Sequence, residues 1–248
     1  MKIVVDENMP HACELFAEFG EVVPLPGRQI GAADLRDADV LLVRSVTRVD
    51  AELLATSPRL RFVGTATIGT DHVDKALLAA RNIPFFSAPG CNKYSVGDYV
   101  LSALLVLAER HELSLDQMSL AVIGAGNTGE CVAGKAEALG MRVLRCDPPR
   151  ARLEDVAGFV DYPTALGADI VSFHVPLTRE GQDATFHLLG EREIAALPGG
   201  QFLINASRGE VWDNQALLAR QQSDQPLRLV MDVWEGEPEP IKALVPHT

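Results

Sequence analysis

Val122-Ile123-Gly124-Ala125-Gly126-Asn127-Thr128-Gly129 is the stretch on which the reading of this chain turns. An apolar run at 119–123 leads into it and an amphipathic stretch at 128–139 follows. The three glycines suit three different tasks. Gly124 permits a tight turn, Gly126 lets the backbone approach a pyrophosphate, and Gly129 lets the helix pack close to the strand. The helix is expected to start at Asn127 and Thr128, where its free N–H groups and dipole favour an anion. The next apolar run, 142–146, ends at Asp147, 18 residues after Gly129. A carboxylate there accepts from both hydroxyls of an adenosine ribose and repels a 2′-phosphate, which predicts NAD rather than NADP. Arg150, just past Pro148-Pro149, is the neighbour that would oppose that choice. The bland alternative is a structural strand-to-helix turn followed by a surface Asp.

Outward from this loop the same rhythm repeats. Strands are predicted at 2–5, 39–43, 61–64 and 83–86, and again at 119–123, 142–146, 170–173, 201–204 and 227–231. Most are apolar throughout rather than alternating, as parallel strands covered on both faces are. Amphipathic stretches at 12–19, 73–80, 128–139 and 214–221 separate them, which predicts doubly wound α/β architecture. One long helical pattern at 94–112 interrupts the rhythm, with Val96, Val100, Leu101, Leu104, Leu105 and Ala108 as its apolar side. The turn-rich Pro89-Gly90-Cys91-Asn92 before it marks a domain boundary, giving domains 1–92 and 93–248. Two such domains are expected to leave a ligand cleft between them.

Composition narrows the function classes. The 248 residues are 47% hydrophobic and 23% charged, ordinary globular values for a chain long enough for one large or two medium domains. With 22 basic against 34 acidic residues the net charge is −12, which argues against nucleic acid or anionic membrane as a partner. The longest apolar run, 100–108, contains Ser102 and is too short to span a bilayer. The N-terminus turns acidic at Asp6-Glu7, with no apolar leader region. Cys13, Cys91, Cys131 and Cys146 are scattered and form no CxxC, the usage of a reduced cytoplasmic protein. His11-Ala12-Cys13 lacks a second pair to complete a zinc site, so no metal is expected.

Three further segments carry a family resemblance. They are Ser172-Phe173-His174-Val175-Pro176-Leu177-Thr178, Asn205-Ala206-Ser207-Arg208-Gly209 and Met231-Asp232-Val233-Trp234-Glu235-Gly236-Glu237-Pro238. With the glycine loop they resemble, in order and spacing, the motifs of the D-isomer-specific 2-hydroxyacid dehydrogenases. The resemblance implies a flavodoxin-like substrate domain and a Rossmann NAD-binding domain. It implies that Arg208 binds the substrate carboxylate and C2 oxygen, a task suited to a permanently charged, forked donor. It also implies that Glu237 is the acidic partner of a catalytic histidine, and that Val175, Ala206 and Asp232 line the cofactor. In the first domain, Ser45 and Thr67 match positions that touch substrate, and Arg44 and, less directly, Arg48 are candidate phosphate contacts. Without the motif, Glu237 would read as one acid in a solvated run, and Arg44 as a surface residue.

Segments of the N-terminal half, and one segment after the glycine loop, narrow the resemblance. Asp6-Glu7-Asn8-Met9-Pro10, Val43-Arg44-Ser45-Val46-Thr47, Gly64-Thr65-Ala66-Thr67-Ile68-Gly69-Thr70-Asp71-His72, Ala88-Pro89-Gly90-Cys91-Asn92 and Cys146-Asp147-Pro148-Pro149-Arg150 are similar to the branch of that family that oxidises 4-phospho-D-erythronate in bacterial pyridoxal phosphate (vitamin B6) biosynthesis. Other members, such as those acting on phosphoglycerate, and non-catalytic NAD-binding relatives remain the alternatives. The sequence departs from the family in two places. The only histidine beyond Glu237, His247, follows by ten residues, too few for the family's pattern. The catalytic histidine is therefore expected beyond Thr248, together with a dimerisation region of a longer homodimeric protein. Lys93-Tyr94-Ser95 also stands where relatives often carry small apolar residues; Lys93 reads as an exposed lysine.

Overall fold

The computed structural model describes residues 1–154, 158–237 and 239–247, with the His247 side chain outside that description. The chain divides into two compact units, Met1–Asn92 and Lys93–Thr248.

The first unit is built on β1 (Lys2–Asp6), α1 (Ala12–Phe16), β2 (Glu21–Leu25), β3 (Val40–Val43), β4 (Phe62–Thr65), α2 (Lys75–Ala80) and β5 (Phe85–Phe86). All its strand pairs are parallel, in the order β2-β1-β3-β4-β5. Alternate residues of one strand feed opposite layers. Val4 packs in a core with Leu41, Val43, Leu54, Val63 and Leu78, whereas Ile3 and Val5 pack with Ala12 and Leu42. A strand apolar at every position is the consequence of covering both faces. Strand β2 was not expected from sequence. It is an edge strand paired through Val5 to Pro24, which needs no second ladder on its outer side. The run predicted at 83–86 shortens to Phe85–Phe86, and α1 gives way to a 3₁₀ turn at Ala17–Phe19. Asp74 caps α2 by accepting the Leu77 N–H at 2.8 Å.

The second unit opens with α3 (Lys93–His111). It continues through β6 (Ser119–Ile123), α4 (Asn127–Ala138), β7 (Arg142–Cys146), α5 (Pro148–Glu154), α6 (Tyr162–Leu166), β8 (Ile170–Phe173), α7 (Glu191–Ala196), β9 (Phe202–Asn205), α8 (Asn214–Gln221) and β10 (Arg228–Met231). Its parallel sheet runs β10-β9-β8-β6-β7. Parity again sorts the side chains: Ala121, Ile123, Val171, Phe173 and Leu203 enter one core, and Leu120, Val122, Ile170 and Ile204 the other. The buried side of α3 is Gly97, Val100, Leu104 and Leu107, while Leu105 is exposed. The predicted stripe was therefore too wide. Leu105 lies about 100° around the helix from Leu104 and falls off the face that α4 covers. The short helices α5, α6 and α7 were not expected.

In both sheets the strand order reverses beside the first strand of the unit, between β1 and β3 and between β6 and β8. The carboxyl ends of strands flanking such a reversal diverge and leave a crevice, so the ends at Ile123 and Phe173 place the glycine loop at a ligand-binding position.

Candidate active site

Gly124 sits at φ +88°, and a Cβ there would lie 2.7 Å from the His174 carbonyl oxygen. At Gly129 a Cβ would lie 1.9 Å from the Gly124 carbonyl oxygen, so helix and loop touch through bare backbone. At Gly126 a Cβ would meet nothing within 4 Å. That face of the loop is open, and it is the face an incoming pyrophosphate needs. Helix α4 starts there without a side-chain cap, leaving its first N–H groups available to an anion. Asn127 is exposed and Thr128 half-buried at that terminus.

Beside the loop lies a cavity of about 380 Å³, lined among others by Gly124, Gly126, Asp147, His174 and Val175. Asp147 Oδ2 accepts the Ala125 N–H and Oδ1 the Arg150 N–H, both at 3.0 Å. The carboxylate therefore braces the glycine loop against α5, and each oxygen keeps acceptor capacity for a ribose hydroxyl. His174 Nε2 lies 2.8 Å from Ser172 Oγ. Burial lowers its imidazole to about 4, so it is a neutral wall of the cavity at neutral pH. Burial, followed by the Asp147 charge, pushes the Cys146 thiol up to about 11, making it equally uncharged. An open glycine face, an uncapped helix start and a carboxylate at the next strand end fit an adenine dinucleotide.

The ends of β9 and β10 form a second cluster. Buried Asn205 shapes the first loop: its Oδ1 accepts from Ser207 N–H and Oγ at 3.1 and 2.7 Å, and its Nδ2 donates to the Arg208 carbonyl at 3.0 Å. Half-buried Arg208 follows, extended at φ −138°, with Nη1 donating to the Ser207 carbonyl at 2.8 Å. Half-buried Ala206 stands on the same loop. A Cβ on Gly209 would lie 2.0 Å from the Trp234 carbonyl carbon. Only glycine lets the Arg208 loop lie flat on the 234–235 backbone.

Asp232 follows β10, its N–H donating to the Asn205 carbonyl at 3.0 Å. Withdrawal of its carboxyl from water, and then the negative charge of Glu237, raise Asp232 above the usual carboxylate range. Burial, and then Asp232, raise the Tyr99 hydroxyl of α3. Tyr99, Asp232 and Glu237 thus share one electrostatic neighbourhood. Exposed Glu237 accepts the Trp234 N–H at 2.8 Å, closing the turn that carries it. The next residue of its motif, Pro238, lies outside the described residues.

Sequence reasoning missed a partner of this loop. His187 Nε2 lies 2.9 Å from Glu235 Oε1, and its Nδ1 lies 3.7 Å from Asp213 Oδ2. Asp213 caps α8 through the Ala216 N–H, and Glu235 accepts the Asn214 N–H. An imidazole between two carboxylates therefore ties the start of α8 to the loop bearing Asp232 and Glu237. Glu235 is 48 residues from His187, so no spacing rule could have paired them.

In the first unit, Ser45 and Thr67 each lie two residues beyond a paired strand end, Val43 and Thr65. Ser45 is exposed. The Thr67 hydroxyl donates to the Gly69 carbonyl at 2.9 Å and lies 2.7 Å from Thr65 Oγ1, so it shapes its own loop. Arg44 is half-buried beside Ser45. Arg48, the weaker phosphate candidate, instead pairs with Asp50 at 3.2 Å. Lys93 is half-buried rather than exposed, with Nζ 4.9 Å from the Tyr94 ring centre.

Residues 105–247 match the model of the D-isomer specific 2-hydroxyacid dehydrogenase NAD binding domain. The whole chain is 86% identical to erythronate-4-phosphate dehydrogenase of Aeromonas salmonicida and covers 67% of that protein. It thus spans about two thirds of the length of such curated relatives. A D-lactate dehydrogenase from Aquifex aeolicus, solved with NAD and lactic acid, is 26% identical. It aligns at TM-score 0.80 over 94% of this chain and 77% of its own. An NADPH-dependent glyoxylate/hydroxypyruvate reductase from Sinorhizobium meliloti, solved with NADP and malonate, is 25% identical. It also aligns at TM-score 0.80, over 98% of this chain and 82% of its own.

Proposed function

The chain belongs to the D-isomer-specific 2-hydroxyacid dehydrogenase family, and from that premise we propose that it catalyses NAD-dependent oxidation of 4-phospho-D-erythronate to 2-oxo-3-hydroxy-4-phosphobutanoate, a step of pyridoxal phosphate biosynthesis. The observation that carries the substrate is the 86% identity, over the full length of this chain, to a protein named for that reaction. Residues 93–248 serve as the NAD-binding domain and residues 1–92 as the substrate-binding domain.

When bound, NAD supplies the acceptor for the hydride leaving C2. The chain's residues do the rest. The loop at Gly124, Gly126 and Gly129 and the start of α4 at Asn127 and Thr128 receive the pyrophosphate. Asp147 takes the adenosine ribose, Val175 lines the adenine side, and Ala206 and Asp232 face the nicotinamide end. Arg208 holds the substrate carboxylate and C2 oxygen in a fork, and its charge steadies the alkoxide as the proton departs. Glu237 orients the imidazole that takes this proton and raises its basicity. By the family pattern that imidazole belongs beyond Thr248. Ser45 and the Thr67 loop hold the carboxylate end, and Arg44 the phosphate. The full-length enzyme is a cytoplasmic homodimer; for this chain, no described helix is long and apolar enough to cross a membrane.

The test is NADH formation, followed by its near-ultraviolet absorbance, with 4-phospho-D-erythronate and with 3-phosphoglycerate as substrates of the chain extended to its relatives' length. Faster turnover of phosphoglycerate would reject the assignment.

A further inference from the structure

We propose that Glu154 and Glu130 set the cofactor choice of this domain by clamping Arg150, so that a ribose 2′-position meets the Asp147 carboxylate rather than a guanidinium. Arg150 and Asp147 stand on one turn, the backbone N–H of the first donating to Oδ1 of the second at 3.0 Å. Left to itself, an Arg three residues past the ribose-binding carboxylate is the natural receptor for a 2′-phosphate. Here most of its donors are taken. Nε and Nη2 fork onto the two oxygens of Glu154 at 2.7 and 2.9 Å. Nη1 donates to Glu130 Oε1 at 2.9 Å and also to the Ala125 carbonyl.

The clamp is itself braced. Glu130 Oε2 accepts from Arg145 Nε at 3.0 Å, and Arg145 Nη1 donates to Glu137 at 2.8 Å. Charge therefore alternates along Glu154, Arg150, Glu130, Arg145 and Glu137, three acids to two arginines. With Asp147 added, the set carries an excess of two negative charges, which disfavours a phosphate. Glu154 lies one helical turn after Arg150 on α5, and Glu130 lies in the first turn of α4, so both elements that flank the ribose position contribute. The fold alone does not make this choice, because the Sinorhizobium relative of the same fold was solved with NADP.

The inference rests on the NAD-binding reading of residues 93–248, and the experiment separates the two. Dissociation constants for NADH and NADPH are measured by titration calorimetry on the full chain, unmodified and as Glu154→Gln, Arg150→Lys and Glu154→Gln/Arg150→Met. Glu154→Gln keeps the shape and a neutral acceptor but releases the guanidinium. It is expected to tighten NADPH roughly five- to tenfold, the scale of one charge-assisted contact, with NADH changed less than about twofold. Arg150→Lys breaks the fork while keeping the charge and is expected to move the ratio the same way. The double variant should lose the gain. An unchanged NADPH-to-NADH ratio in both single variants overturns the clamp, and so does a gain that survives removal of Arg150. Failure of the unmodified chain to bind NADH would instead overturn the NAD-binding reading.

Discussion

Arg208 follows a loop shaped by Asn205 and backed by the 234–235 backbone, so the backbone from which its guanidinium extends is fixed by neighbours. A lysine would bring the charge without two parallel donors. In the chain extended to its relatives' length, Arg208→Lys is expected to lower kcat/KM by the equivalent of about 2–4 kcal/mol, the scale of losing a preorganised donor. Steady-state kinetics on 4-phospho-D-erythronate check this, and near-normal kcat/KM would assign Arg208 a structural role. Asp147→Ala is expected to weaken NADH while affecting NADPH less, narrowing the preference for NAD; equal affinities in the unmodified chain would remove the basis of that expectation. His174 yields a pH dependence. Its folded value, about 4, lies below the unfolded histidine value, so the unfolded chain binds the extra proton between these two. Its contribution to stability is complete above about pH 6.5 and declines as pH falls towards 4, by an amount on the order of 2–4 kcal/mol. Urea unfolding at pH 7 and pH 5 should show a smaller loss for His174→Asn than for the unmodified chain, and equal losses would contradict the assignment.

At the scale of elements, the glycine loop separates two kinds of glycine that look alike in sequence. Gly126 faces open space, so Gly126→Ala should fold with an unchanged Tm yet bind NADH at least tenfold more weakly, the methyl standing where the pyrophosphate approaches. At Gly129 the methyl would strike the Gly124 carbonyl, and α4 must move away from the loop. Gly129→Ala should therefore lower stability by about 1–3 kcal/mol, the usual cost of overpacking. Calorimetric melting and NADH titration of both variants test the contrast, which fails if Gly126→Ala melts earlier than Gly129→Ala. The same contrast explains what could be read beforehand. Strands β6, β7 and β8 match their expected bounds: β6 and β8 are buried at every position, as central strands covered on both faces are, while edge strand β7 keeps its bounds although Arg142 and Arg145 interrupt its apolar run. Edge strand β2 escaped notice because one covered side and a proline weaken the pattern. Helix α5 escaped because its start, Pro148-Pro149, reads equally well as a turn, although proline is tolerated in a first helical turn.

For the whole molecule, the division at Asn92 and Lys93 separates two sheets of the same strand order, each with its own reversal point. The proposed site residues follow that division: Ser45 and Thr67 follow strands of the first sheet, while the glycine loop, Asp147, Arg208, Asp232 and Glu237 follow strands of the second. Proton removal by a positioned imidazole contributes roughly 10²–10⁴-fold to such a reaction. The 248-residue chain is therefore expected to bind NADH while turning over 4-phospho-D-erythronate at least a hundredfold more slowly than the chain extended to its relatives' length. Comparing NADH formation by the two forms tests this, and equal rates would show that the imidazole lies within residues 1–248.

Local pattern was enough for the βα rhythm, the glycine loop and the strand-end position of Asp147, because each depends on residues a few positions apart on one turn or strand end, whereas Arg208 and Glu237 stand out only through the family resemblance. Tertiary structure decided the rest. It closed Arg150 between Glu154 and Glu130, set His187 between Asp213 and Glu235, laid Gly209 on the Trp234 backbone and turned the Asp147 carboxylate onto the Ala125 N–H. Most of these contacts join residues from different elements, some 48 positions apart, and a side chain's charge state and partners follow from what packing brings near it rather than from its neighbours in the chain.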